Sequence, residues 1–265
     1  MKKLTYSIIV AAFACSFAAS ASASECFGNC GTLGASGVVT ASPIGGDYQY
    51  VSTYDGLDGV GSLGLSGVNQ TNGSLYVSDS FSVVAGDALH FYFNYVTSDG
   101  TGNYTDYAWV ALRPTNGGAD LILFTARTTP TGDTVPGFNL PGLADGVTLD
   151  PSSTPIIGGA APVWSALGSS SGLCYSSVNA GCGYTDWIGM DYLFDDAGIY
   201  SLVFGVTNVG DTAYDSGLAF AGLTLNDKPI EGGGSTVPEP ATLTLMLASL
   251  GLVGALRRRN KVPTA

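Results

Sequence analysis

The chain has 265 residues, with nine basic and twenty-one acidic side chains for a formal charge of −12, and 38 glycines. Six of the bases fall in the two end segments, so residues 24–236 hold three bases against twenty acids, a balance of −17. A body so charged repels phosphates and anionic headgroups, which excludes nucleic-acid binding, and it draws cations.

In chain order, Lys2 and Lys3 precede an apolar run, Leu4–Phe17, and Ala21-Ser22-Ala23 forms a small-x-small cleavage site. Residues 1–23 therefore read as a signal peptide removed by signal peptidase, with Ser24 as the first mature residue. Cys15 lies in the apolar run without a lipobox before it, so no lipoprotein is expected. Four cysteines follow: Cys26, Cys30, Cys174 and Cys182. An even number in an exported chain argues for disulfides, and sequence leaves three connectivities open. The local pairs, Cys26 with Cys30 and Cys174 with Cys182, are preferred because each flanks a loop containing glycine or asparagine. A zinc site is not expected, since the spacing lacks a CxxC.

The body shows no sustained helical period, and period two recurs. Tyr48–Tyr54 and Gly61–Ser66 read as the first strands. Ser74–Val84 follows, with Leu75, Val77, Phe81 and Val83 alternating with polar or tyrosine positions. After a turn at Gly86-Asp87, Ala88–Val96 places Leu89, Phe91, Phe93 and Tyr95 on one face. Tyr107–Arg113 and Leu121–Arg127 read as a pair joined by Pro114–Gly118. Thr128 to Cys182 is broken too often by proline and glycine for long elements, and reads as loops with one short strand around Val163–Leu167. Ile199–Thr207 and Leu218–Asn226 close the domain. Strands at this spacing without helical crossovers predict an all-β fold, an antiparallel β-sandwich of jelly-roll type, over residues 24–230.

Candidate chemistry is sparse. His90 is the only histidine, so any Ser-His-Asp or Cys-His site needs it as base, yet it sits mid-strand opposite the apolar face. Gly168-Ser169-Ser170-Ser171-Gly172 has the G-x-S-x-G spacing without the strand and helix that a nucleophile elbow requires. Asp186, Asp191, Asp195 and Asp196 are the candidates for a paired-carboxylate glycoside hydrolase. Calcium is the best-supported ligand: Asp99 and Asp106 flank one loop, and Asp211 and Asp215 flank another, which offers hard oxygen donors. Tyrosines, Tyr48, Tyr50 and Tyr54 among them, offer a sugar-stacking platform. The expectation is a protein that is not an enzyme. A calcium-assisted carbohydrate-binding module for exopolysaccharide is the first alternative and a secreted glycoside hydrolase the second.

A glycine-rich linker, residues 231–236, leads to Val237-Pro238-Glu239-Pro240. Ala241–Leu256 then carries no charge, and Arg257, Arg258 and Arg259 follow it. Sixteen residues make a helix of roughly 24 Å, which snorkelling arginines extend toward the ~30 Å hydrocarbon core of a membrane. Residues 241–256 are therefore expected to be a transmembrane helix with a cytoplasmic C-terminus.

Pro238-Glu239-Pro240, the apolar run and the arginine cluster together resemble the PEP-CTERM sorting signal, here residues 237–261. The resemblance implies an exosortase as partner, which cuts near the motif. It also implies passage from an inner-membrane intermediate to the cell-envelope surface or extracellular matrix. Two further stretches, Phe91–Trp109 and Ala197–Phe220, are similar to the β-sandwich domains of "choice-of-anchor" surface proteins. That similarity implies an extracellular jelly roll.

Overall fold

The computed structural model describes residues 24–100, 104–129, 131–175 and 181–230. The expected signal peptide, the linker, the sorting signal and its transmembrane helix lie outside the described residues. The strands in chain order are β1 (Glu25–Phe27), β2 (Asn29–Leu33), β3 (Tyr48–Ser52), β4 (Leu57–Asp58), β5 (Gln70–Val77), β6 (Phe81–Val83), β7 (Ala88–Thr97) and β8 (Tyr107–Pro114). They continue with β9 (Leu121–Ala126), β10 (Val147–Asp150), β11 (Gly183–Tyr184), β12 (Ile188–Leu193), β13 (Gly198–Val209), β14 (Ser216–Leu225) and β15 (Lys228–Pro229). A short 3₁₀ helix, Ser165–Ser170, is the one helical element among the described residues.

Two antiparallel sheets form a β-sandwich. Sheet A runs β1-β5-β13-β8-β9, with β4 on β5 and β6 on β13. Sheet B runs β10-β12-β7-β14-β3-β2, with β11 on β7 and β15 on β14. Alternation sends Phe91 and Phe93 of β7, Phe204 of β13 and Phe220 of β14 inward, all fully buried. Phe204 stacks on Phe220 at 3.8 Å between ring centroids, and Phe93 on Phe124 at 4.2 Å, so two aromatic pairs cross from sheet to sheet. The outer faces are also covered in part. On sheet A, Leu63, Leu65 and Leu140 pack over Trp109 and Val203; on sheet B, Trp164 and Leu167 cover Ala219.

Several sequence expectations change here. Ser74–Val84 is two strands, broken at Ser78, whose hydroxyl accepts from Leu202 N at 2.8 Å where a ladder carbonyl would otherwise do so. Gly61–Ser66 is not a strand but a loop arching over sheet A. Trp109 Nε1 donates to Gly61 O at 2.7 Å, and Tyr107 Oη accepts from Leu63 N at 2.9 Å. Val163–Leu167 is not a strand either: Trp164 is buried with its Nε1 donating to Tyr48 Oη at 2.9 Å, and the 3₁₀ helix starts after it. Gly217 makes that seat, since a Cβ there would stand 2.6 Å from the Trp164 ring. The hairpin Tyr107–Arg113 with Leu121–Arg127 forms as expected, as β8 and β9. By contrast, β13 and β14 are neighbours in sequence but lie in opposite sheets.

Candidate functional site

That change of sheet gathers a cluster of buried carboxyls. The chain crosses from sheet B to sheet A between β7 and β8, and from A back to B between β13 and β14. Register places both crossings at the same end, because Thr97 pairs with Ser216 and Tyr107 with Thr207. The first crossing carries Asp99 and Asp106, and the second carries Asp211 and Asp215. Loops distant in sequence thus bring together four aspartates, of which Asp99, Asp106 and Asp215 are buried.

Buried carboxyls need partners, and these have them in part. Asp106 Oδ1 accepts from Val209 N at 2.9 Å and its Oδ2 from Ser216 Oγ at 2.7 Å. Asp215 Oδ1 accepts from Thr53 Oγ1 at 3.0 Å and its Oδ2 from Ser170 Oγ at 2.7 Å. Asp99 Oδ2 and Asn208 Oδ1 are buried with no hydrogen-bond donor. Burial, and secondarily the Asp211 charge, pushes the Asp99 carboxyl up to about 8. Burial and the neighbouring Asp99 raise Asp106 well above the usual carboxylate range, and burial raises Asp215 as well. Arg127 is the one base whose charge opposes this at Asp99, and its Nε is spent on Thr105 O at 2.9 Å.

The four expected calcium ligands are therefore neighbours. Their geometry, however, differs from a coordination sphere. Among the described residues no three histidine, cysteine, aspartate or glutamate side chains form a group suited to a metal ion. Each oxygen of Asp106 and of Asp215 already accepts an N–H or O–H from the protein. Asp99 Oδ2 and Asn208 Oδ1 are buried here without a donor, and Asp211 accepts from Ala213 N at 2.9 Å through Oδ1 alone.

The same end carries an aromatic patch that the sequence did not single out. Tyr175 meets Tyr104 at 5.5 Å and Tyr214 at 5.4 Å, both edge-to-face. Tyr175 is 45 % exposed, and Tyr214 adopts a φ of 58°, uncommon for an aromatic residue. The disulfide Cys174–Cys182 sits beside Tyr175, and Cys26–Cys30 closes the turn between β1 and β2, so the local pairing holds in both cases. The expected platform of Tyr48, Tyr50 and Tyr54 does not form. Tyr48 is buried under Trp164 and Trp187, and Tyr50 packs edge-on against Trp164.

Of the four hydrolase candidates, Asp195 and Asp196 are adjacent in the loop after β12, and Asp186 stands apart from them. Asp186 and Asp195 lie at opposite ends of β12, nine residues apart, or roughly 30 Å along an extended strand. A glycosidase pair stands within about 5–9.5 Å. Asp191, on the outer face between them, instead bonds His90 Nδ1 at 2.8 Å, with Tyr92 edge-on to the imidazole at 4.7 Å. His90 is seven residues along β7 from Thr97, so roughly 23 Å separates it from the end that holds Ser170 and Asp215. No serine triad assembles from these residues. Ser170 of the Gly168–Gly172 stretch is buried and caps Asp215.

The chain leaves the sandwich at the other end. Glu25, the start of β1, pairs with Val77, and Ile230 shares a small cleft with Asp79, Ser80 and Phe81, just beyond Val77. Both end segments thus depart beside the Val77–Phe81 stretch, opposite the aspartates. No helix among the described residues is long and apolar enough to cross a membrane. No curated protein and no solved structure matches the chain. Residues 236–259 match the family model of the PEP-CTERM protein-sorting motif, and the chain carries the mark of a secreted protein sorted by an exosortase.

Proposed function

We propose that the chain is an exported, non-enzymatic protein of the cell envelope or extracellular matrix. Signal peptidase removes residues 1–23, the helix 241–256 holds an inner-membrane intermediate, and an exosortase cuts near Pro238-Glu239-Pro240. The sandwich is then of jelly-roll type, a reading supported by strands that repeatedly switch sheets. The observation that carries the proposal is the sorting motif at residues 236–259. The separation of Asp186 from Asp195, the pairing of Asp191 with His90 and the distance of His90 from Ser170 support the non-enzymatic part. Departure of both chain ends from one pole supports an orientation in which the aspartate and tyrosine pole faces away from the membrane. Charge reversal of Arg257, Arg258 and Arg259 to glutamate tests the sorting step, because the basic cluster sets topology. Loss of envelope delivery is expected, and unchanged delivery of the reversed protein contradicts it.

A second reading is favoured by the exposed Tyr175 with Tyr104 and Tyr214 beside it. It is a carbohydrate-binding module for exopolysaccharide, assisted by calcium at Asp99 and Asp211 with Asp106 and Asp215 behind them. Calcium that binds only the folded body raises its melting temperature by mass action. Equal melting temperatures in excess EDTA and in millimolar calcium reject the calcium part, and polymer binding that survives Tyr175→Ala rejects the platform.

A further inference from the structure

The outer face of sheet A carries a groove of about 880 Å³ whose floor and walls include Val60, Leu63, Leu75, Val77, Trp109 and Ile122. Its size is that of a ligand site, and its lining is mainly apolar. Polar groups stand at the rim: Glu25, and Arg113 held by Asp120 with Nη2 at 2.8 Å from Oδ2. Sugars are poorly suited to such a lining. Trp109 is 3 % exposed with its indole N–H spent on Gly61, so it offers no stacking face. A second copy of the chain is also a poor occupant, since an isologous contact would set one hollow against the other.

The chain itself supplies a fitting occupant. Ile230 lies beside Asp79, Ser80 and Phe81, and the residues just before these, Val77 and Ser78, line the groove. Residues 231–240 follow Ile230 and span up to about 33–36 Å when extended, ample to bring the next segment to the groove. That segment is the uncharged run Ala241–Leu256, with Arg257, Arg258 and Arg259 behind it. We propose that, until a bilayer takes it up, Ala241–Leu256 lies partly in this groove of its own sandwich, with the arginines against the acidic body. Apolar residues stay out of water, and the short tether gives the contact a high effective concentration without a partner. A body with a balance of −17 attracts the three arginines over the same distance. Insertion into a membrane then competes with the groove, and cleavage leaves the groove open.

Hydrogen exchange on the chain from Ser24 to Ala265, compared with Ser24 to Thr236, tests this in detergent-free buffer. Amides of the Gly59–Leu65 loop and of β5 should exchange at least tenfold more slowly in the longer form. Detergent micelles should erase the difference. Leu63→Asp and Ile122→Asp, at half-buried positions, should each erase it too while the shorter form keeps its melting temperature within a few degrees. Equal exchange in both forms overturns the proposal. So does protection that rises with protein concentration, which would mark a second copy in the groove. Both results leave exosortase sorting intact, so failure here is distinct from failure of the sorting reading.

Discussion

Asp99 is where the residue scale speaks most directly. Its carboxyl is buried, one oxygen lacks a donor, and its folded value of about 8 stands far above the ~3.9 of an unfolded aspartate. The sign follows from proton counting: between those values the folded state holds a proton that the unfolded state has released. Stability is therefore full below about pH 4, falls as pH rises, and levels off above about pH 8. Raised values at Asp106 and Asp215 act in the same direction. With solvent screening at the loop end, the loss between pH 5 and pH 8 should be on the order of 2 kcal/mol, or about 4–8 °C in melting temperature. Asp99→Asn keeps the shape without the charge, so it should flatten this slope and melt higher than the parent at pH 8. A parent that melts at the same temperature at pH 5 and pH 8 would show that the cluster carries no such proton.

At the scale of elements, the two stacked phenylalanine pairs hold the sheets together. Phe204→Ala removes a fully buried ring that touches Phe220 and Phe91 across the core. Such truncations cost about 3–5 kcal/mol, which chemical denaturation would measure, and a loss under 1 kcal/mol would mean that the interface repacks. Alternation made β7, β8, β9, β13 and β14 legible, because one face of each meets the core. It left β10 and β12 unread: β10, at the sheet edge, is only four residues long, and β12 breaks its apolar positions with Gly189 and Asp191. Gly61–Ser66 and Val163–Leu167 failed for a related reason. Their apolar residues cover the outer faces of the sheets, and burial by a loop looks like burial by a strand. The aspartate pairs were visible as loop residues, but their meeting was not. It depends on β7 pairing with β14 in sheet B while β8 pairs with β13 in sheet A, which no local period encodes.

For the whole molecule the two poles differ in kind. Both chain ends leave beside Val77–Phe81, whereas the buried aspartates, the three tyrosines and the Cys174–Cys182 bridge gather at the far pole. The tail was legible because sorting is read from linear order, with motif, apolar run and basic cluster in sequence, and needs no fold. The meeting of residues at the far pole depends on three-dimensional assembly and was not legible. The most direct test of the account is mass determination of both termini in protein recovered from outside the cell. The account predicts a chain beginning at Ser24 and ending near Pro238-Glu239-Pro240, without residues 241–265. Intact protein with Ala241–Leu256 still attached, recovered from mature extracellular material, would contradict it.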